Sequence, residues 1–379
     1  MIKTGIRVLL FLLLLAALPL PTGAEELPLD KELQQDYQHF LDAIPPEVGE
    51  LLGEEILTGD LTQSEPALRE RGSISAVLSV IAKLTGLSIR ENLALLARIC
   101  GLLLIAATLR TLLVRSEGSL SRAFGFCSAL TMLCALLLTQ WDALAGLRGI
   151  FDTVQSLSVA FLPLMGSLYA MGGNVRAAVV NHGVMSAFLS ALEVFCAGSV
   201  LPIAGICLAL TLPQALTGGV ELRPIAGLIK RTYTLVISFL MLLLCGVLGA
   251  QSTLARAGDS LALRTARFAA GSFLPVVGGS ISQTLGTVAG SVEYLRGIAG
   301  TSAITVLFFC ALPPLISLFV TRLVFLLGAS LAKLFSCPAE EALLAELGSV
   351  YGYFIAVLSS VLVMLLFSLT LFARAGAAS

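Results

Sequence analysis

From residue 93 onward the sequence keeps returning to apolar runs long enough to cross a membrane. Residues 93–114, 123–139, 232–249 and 351–372 are the clearest. A helix rises about 1.5 Å per residue, so about 20 apolar residues cross a hydrocarbon core of about 30 Å. Inside that core every backbone N–H and C=O must be bonded within the protein, which leaves helices and closed barrels. The runs are continuous rather than alternating, so they select helices. Composition agrees: 57% of residues are hydrophobic and only 12% are charged. A water-facing surface needs about a quarter of residues charged. A soluble enzyme is excluded. The fold class is an all-α polytopic membrane protein, with about ten transmembrane helices expected.

Charge is unevenly placed. Of 24 acidic residues, 14 lie between Glu25 and Glu91, beside five basic ones: Lys31, Arg69, Arg71, Lys83 and Arg90. From Asn92 onward the chain holds the other 10 acidic residues against 16 basic ones. An acidic segment precedes a mildly basic membrane body. Net charge is −1, with no basic run to neutralise a phosphate backbone, so nucleic acid is not a partner. All eight cysteines lie outside the acidic segment and seven sit within apolar stretches, as packing residues rather than a disulfide framework. Their spacing, and that of His39 and His182, suits no metal, and no cofactor is expected.

The first 24 residues read as a signal peptide. Lys3 and Arg7 precede an apolar run over 8–18, and small residues at 22–24 set a cleavage site after Ala24. Residues 25–90 follow as a small helical N-terminal ectodomain, extracytoplasmic and acidic. Leu33, Tyr37, Phe40, Leu41 and Ile44 recur at helical spacing, and Pro45-Pro46 ends that helix. So short a segment buries little core alone, and it is expected to pack on the membrane body or on a partner.

Residues 91–141 hold the first two transmembrane helices, with Arg115 and Arg122 marking their loop as cytoplasmic. The loop 217–231, with Arg223, Lys230 and Arg231, goes to the same side. Further spans are expected at 154–171, broken by Pro163 and Gly166, and at 177–196, 197–216, 273–295, 298–318 and 319–335. An acidic turn over 337–346 precedes the last. Residues 253–270 differ: Arg256, Asp259, Arg264 and Arg267 share one side and Leu254, Leu261 and Phe268 another. That is an amphipathic helix lying near the membrane plane.

An internal repeat is visible. Residues 161–166 (FLPLMG) and 273–278 (FLPVVG) share F-L-P-x-x-G at an offset of 112. Phe195-Cys196 recurs as Phe309-Cys310, and Tyr233 with its apolar run as Tyr353 with its own. The pattern is two parallel membrane repeats, 142–250 and 251–379. Proline within a span removes a backbone bond, and glycine leaves the backbone bare. Pro163, Gly166, Pro275 and Gly278 are therefore candidate shapers of the membrane core. Broken helices in matching halves point to a transport site or pore. Close packing through small residues, as at Gly286 and Gly290, is the alternative. Asn181, His182 and Glu193 form a polar intramembrane stripe; ionisable groups there are functional candidates or are satisfied by neighbouring helices. Arg256, Arg264 and Arg267 are candidate contacts to partners or lipid headgroups. There is no G-x-S-x-G, H-E-x-x-H or Walker lysine loop, so the chain is not expected to be an enzyme.

Residues 263–278, LRTARFAAGSFLPVVG, resemble the signature stretch of the stage III sporulation protein AE family. The signal, acidic segment, FLPLMG motif and polytopic body follow in that family's order. The resemblance implies a subunit of a channel or secretion-like complex linking mother cell and forespore, needed for forespore development. It implies multi-pass residence in the mother-cell membrane around the forespore. It implies as partners other stage III sporulation membrane proteins, an ATPase subunit and a forespore membrane partner. The competing reading from the residues is a stand-alone secondary transporter with its site at the two broken helices.

Overall fold

The computed structural model describes residues 31–53, 73–113, 118–171, 198–217, 224–243 and 278–373, with isolated positions at 179, 182–183, 185–187, 246–247 and 249–250. The ordered elements among the described residues are all helical. They are α1 (Lys31–Asp42), α2 (Pro46–Leu52), α3 (Ile74–Leu113), α4 (Gly118–Met171), α5 (Val200–Thr217), α6 (Pro224–Leu243), α7 (Gly278–Leu334) and α8 (Pro338–Ala373). Among the described residues six stretches are long and apolar enough to cross a membrane: Ser75–Thr111, Ala123–Gln140, Arg148–Leu168, Pro224–Leu243, Tyr294–Leu334 and Pro338–Thr370. The chain is a helical membrane protein.

Several expected breaks are absent. α4 runs 54 residues without interruption, through Pro163 and Gly166. The stretches 123–140 and 148–168 are thus two windows of one helix about 80 Å long, more than one bilayer can hold. α7 runs 57 residues, so the expected spans at 298–318 and 319–335, and most of 273–295, are one helix. Nothing at Leu318-Phe319 stops a helix. Pro313 and Pro314 do not stop it either, because with no water competing for the freed backbone groups, packed neighbours hold the helix together. The expected acidic turn over 337–346 shrinks to Phe335–Cys337. The N–H of Cys337 bonds the Ala332 carbonyl at 2.9 Å and that of Ser336 the Lys333 carbonyl at 3.1 Å. This is a Schellman cap, with Ser336 at φ 56° in the left-handed position. Pro338 then opens α8, and Glu340 and Glu341 complement the positive end of its dipole.

Side-chain pairs fix the register. Asn92 accepts from Thr321 at 3.0 Å, and Ile99 lies beside Gly328, so α3 and α7 run parallel. α8 returns antiparallel along α7: Gly348 meets Leu326 and Gly352 meets Arg322. A Cβ on Gly352 would sit 3.0 Å from the Arg322 Cζ, and one on Gly328 2.9 Å from the Ile99 Cγ2. Helices in lipid gain little from burial and associate through such close approach. α6 runs parallel to α8. Lys230 pairs with Glu346 and donates to Ser349, Tyr233 packs edge-on against Tyr353 at 5.7 Å, and Ser238 meets Ser360.

α1 lies against this bundle as its sequence pattern requires. Leu33, Tyr37, Phe40, Leu41 and Ile44 are all buried. Phe40 packs edge-on against Phe161 of α4 at 5.5 Å, and the Tyr37 hydroxyl lies 3.5 Å from that of Ser302 on α7. Ser167, one residue past the FLPLMG motif, donates to Asp36. α1 ends at Asp42, and α2 begins at Pro46 with Pro45 as its N-cap.

Candidate functional site

The proline pair that fails to break α7 lines an open cleft beside the N-terminal segment. A cavity of about 580 Å³ lies between α2, α3, α4 and α7. Pro45, Val48 and Leu51 line it from the N-terminal segment, and Leu84, Leu87, Ser88 and Glu91 from α3. Gly146, Gly149, Ile150 and Thr153 come from α4, and Cys310, Pro313, Pro314 and Ser317 from α7.

Each residue type contributes for a local reason. Proline carries no N–H, so Pro313 and Pro314 cannot donate to the carbonyls of Phe309 and Cys310 one turn earlier. Gly146 and Gly149 keep the opposite wall back: an added Cβ on either would meet nothing within 4 Å. Ser88 and Ser317 bring hydroxyls, while the Thr153 hydroxyl is spent on the Gly149 carbonyl at 2.8 Å. Glu91, exposed, is the one carboxylate among the lining residues. The result is an apolar space edged by hydrogen-bond acceptors, in the size range of small-molecule sites. It can hold or pass something. Its lining offers no nucleophile with a neighbouring base, and among the described residues no group of three His, Cys, Asp or Glu could hold a metal.

The residues singled out from sequence are placed elsewhere or lie outside the described residues. Pro163 is exposed on α4 and Gly166 faces open space, so neither breaks the helix nor packs it closely. Their motif acts through Phe161 and the neighbouring Ser167, which seat α1. Gly278 is the first residue of α7. Pro275, Asn181, Glu193, Arg256, Arg264 and Arg267 lie outside the described residues, and so does the amphipathic segment 253–270. His182 is described and exposed. Pro313, Pro314, Gly146, Gly149 and Glu91 were not selected by the sequence reading. The adjacent prolines within an apolar run were the available signal.

A second polar group is buried between α6 and α8. Lys230 and Glu346 form an ion pair, with Ser349 accepting from Lys230 at 2.7 Å. Cys207 of α5 stands beside them, its thiol 3.7 Å from the Ala226 carbonyl. Outside the spans, the buried Cys337 thiol is pushed above its ordinary pKa by desolvation and by Glu340, against the opposing pull of Arg110.

Comparison with known proteins follows the same lines. Residues 65–376 match the family described as stage III sporulation protein AE. The Bacillus subtilis (strain 168) protein named stage III sporulation protein AE is 24% identical over 225 residues, which is 59% of this chain and 56% of that relative. The aligned region thus spans little more than half of that relative. No solved structure matches the chain.

Proposed function

The chain belongs to the stage III sporulation protein AE family, and from that premise we propose that it is the polytopic membrane subunit of a channel or secretion-like complex joining mother cell and forespore. In this reading it sits in the mother-cell membrane around the forespore, with its N-terminal segment extracytoplasmic. Its partners are other stage III sporulation membrane proteins, an ATPase subunit and a forespore membrane protein. Its own part is structural and conductive rather than catalytic.

The family match over 65–376 carries this reading. Two features support it. α1 and α2 are fastened along α4 and α7, and Asp42 and Glu50 remain exposed on their outer side as a place to dock. The cavity at Pro313-Pro314 gives the membrane body an open, largely apolar space between four helices. The parallel pairing of α6 with α8 supports the two-repeat pattern, because Tyr233 and Tyr353, matched in sequence 120 positions apart, meet ring to ring. Deleting the gene should halt development of the engulfed forespore, and restoring the chain should rescue it. A deletion strain that forms spores normally overturns the proposal.

The cavity also favours a second reading, a secondary transporter with its site there. Gly149→Leu fills the cavity and separates the two. A transporter should lose solute uptake in isolated vesicles. An assembly subunit should keep its partners while the forespore fails.

A further inference from the structure

Arg322 stands about 18 Å along α7 from the α7–α8 turn, within an apolar stretch, and has no counter-ion among the described residues. Its Nε is buried without a hydrogen-bond partner, and among the described residues no carboxylate pairs with it. Its guanidinium packs close against α8 at Gly352: a Cβ there would stand 3.0–3.3 Å from Cζ, Nε and Nη1. Around it the surface is apolar and open. Phe319, Leu323 and Leu327 form one exposed stripe of α7, and Leu93 of α3 is exposed at the same level. A guanidinium left unpaired in such surroundings is costly, and arginines at membrane depth find anions or reach for the interface. A planar fork of donors matches phosphate oxygens in pairs.

We propose that Arg322, cradled on Gly352, binds the headgroup phosphate of an anionic phospholipid whose chains lie on the Phe319, Leu323 and Leu327 stripe. This site is separate from the cavity, and the inference does not depend on the proposed function. The exposed apolar flank fits a lipid rather than a soluble anion, whose approach it blocks.

The test uses the purified full-length chain in vesicles of phosphatidylcholine with phosphatidylglycerol, extracted gently and weighed with its retained lipid by native mass spectrometry. The wild type should retain phosphatidylglycerol preferentially. Arg322→Gln should cut that preference roughly tenfold, the loss expected for a charge-assisted hydrogen-bond pair. Arg322→Lys should keep part of it, and Arg98→Gln, at an exposed site on α3, should keep all of it. Equal retention by wild type and Arg322→Gln overturns the proposal. Two measurements need no Arg322 variant. The wild type should be stabilised against heat by phosphatidylglycerol and not by inorganic phosphate; equal stabilisation by both overturns the lipid assignment. A photocrosslinker at Leu323 should yield lipid adducts in cells; a protein adduct in their place overturns it.

Discussion

Replacing Lys230 with methionine strips the counter-ion from a carboxylate held inside the bundle. Lys230 is 5% exposed and Glu346 2% exposed. The ammonium serves both Glu346 and Ser349, so one substitution leaves two acceptors without their donor. Breaking a buried pair from one side costs about 3–5 kcal/mol, because the remaining charge stays desolvated. Replacing both members with apolar residues of similar volume is often neutral. Lys230→Met and Glu346→Leu should therefore each destabilise strongly, while the double variant should approach the wild type. At about 2 °C per kcal/mol for a chain of this size, each single loss is about 6–10 °C in Tm. The assay is thermal unfolding of the purified full chain in mild detergent, with Arg231→Gln, an exposed neighbour on α6, as the reference. Recovery in the double variant gives a coupling of at least about 2 kcal/mol. Additive losses, or singles no worse than Arg231→Gln, would show that the pair does not hold α6 to α8.

Three further outcomes are expected. Gly328→Ala drives a methyl to 2.9 Å from a branched side chain, Ile99, and should cost about 1–3 kcal/mol in the same unfolding assay. Ser336→Gly relieves a left-handed residue in the cap between α7 and α8 and should stabilise by about 1 kcal/mol. Cys337 titrates above an ordinary thiol, so little thiolate is present near neutral pH and alkylation should be slow, quickening only in alkaline buffer. Glu340→Gln removes a like charge, lowers that pKa and should speed the reaction at fixed pH. An unchanged rate would refute the part assigned to Glu340.

What was legible in the sequence was whatever rests on local pattern. The apolar spacing of Leu33, Tyr37, Phe40, Leu41 and Ile44 gave α1 and its buried face, and Pro45-Pro46 gave its end. Membrane-length apolar runs gave the class. Helix limits inside the membrane were not legible, because proline there loses much of its power to stop a helix. Pro163 and Pro313-Pro314 both lie within continuous helices. The candidate site was missed for a related reason. A cavity forms where four elements fail to fill a volume together, and Pro313 lies more than 150 residues from Gly146 and Gly149 in the chain. Glu91 looked like the last of an acidic segment and not the edge of a cavity. The tyrosine match at 233 and 353 was visible as a repeat, but only the packing of α6 on α8 brings the two rings together.

Gentle affinity purification of the tagged chain from sporulating cells, with partners identified by mass spectrometry, tests the central claim most directly. The account predicts recovery with a membrane-associated ATPase and with other stage III sporulation membrane proteins. Recovery of the chain alone, or as a simple homodimer, would contradict it and leave the transporter reading.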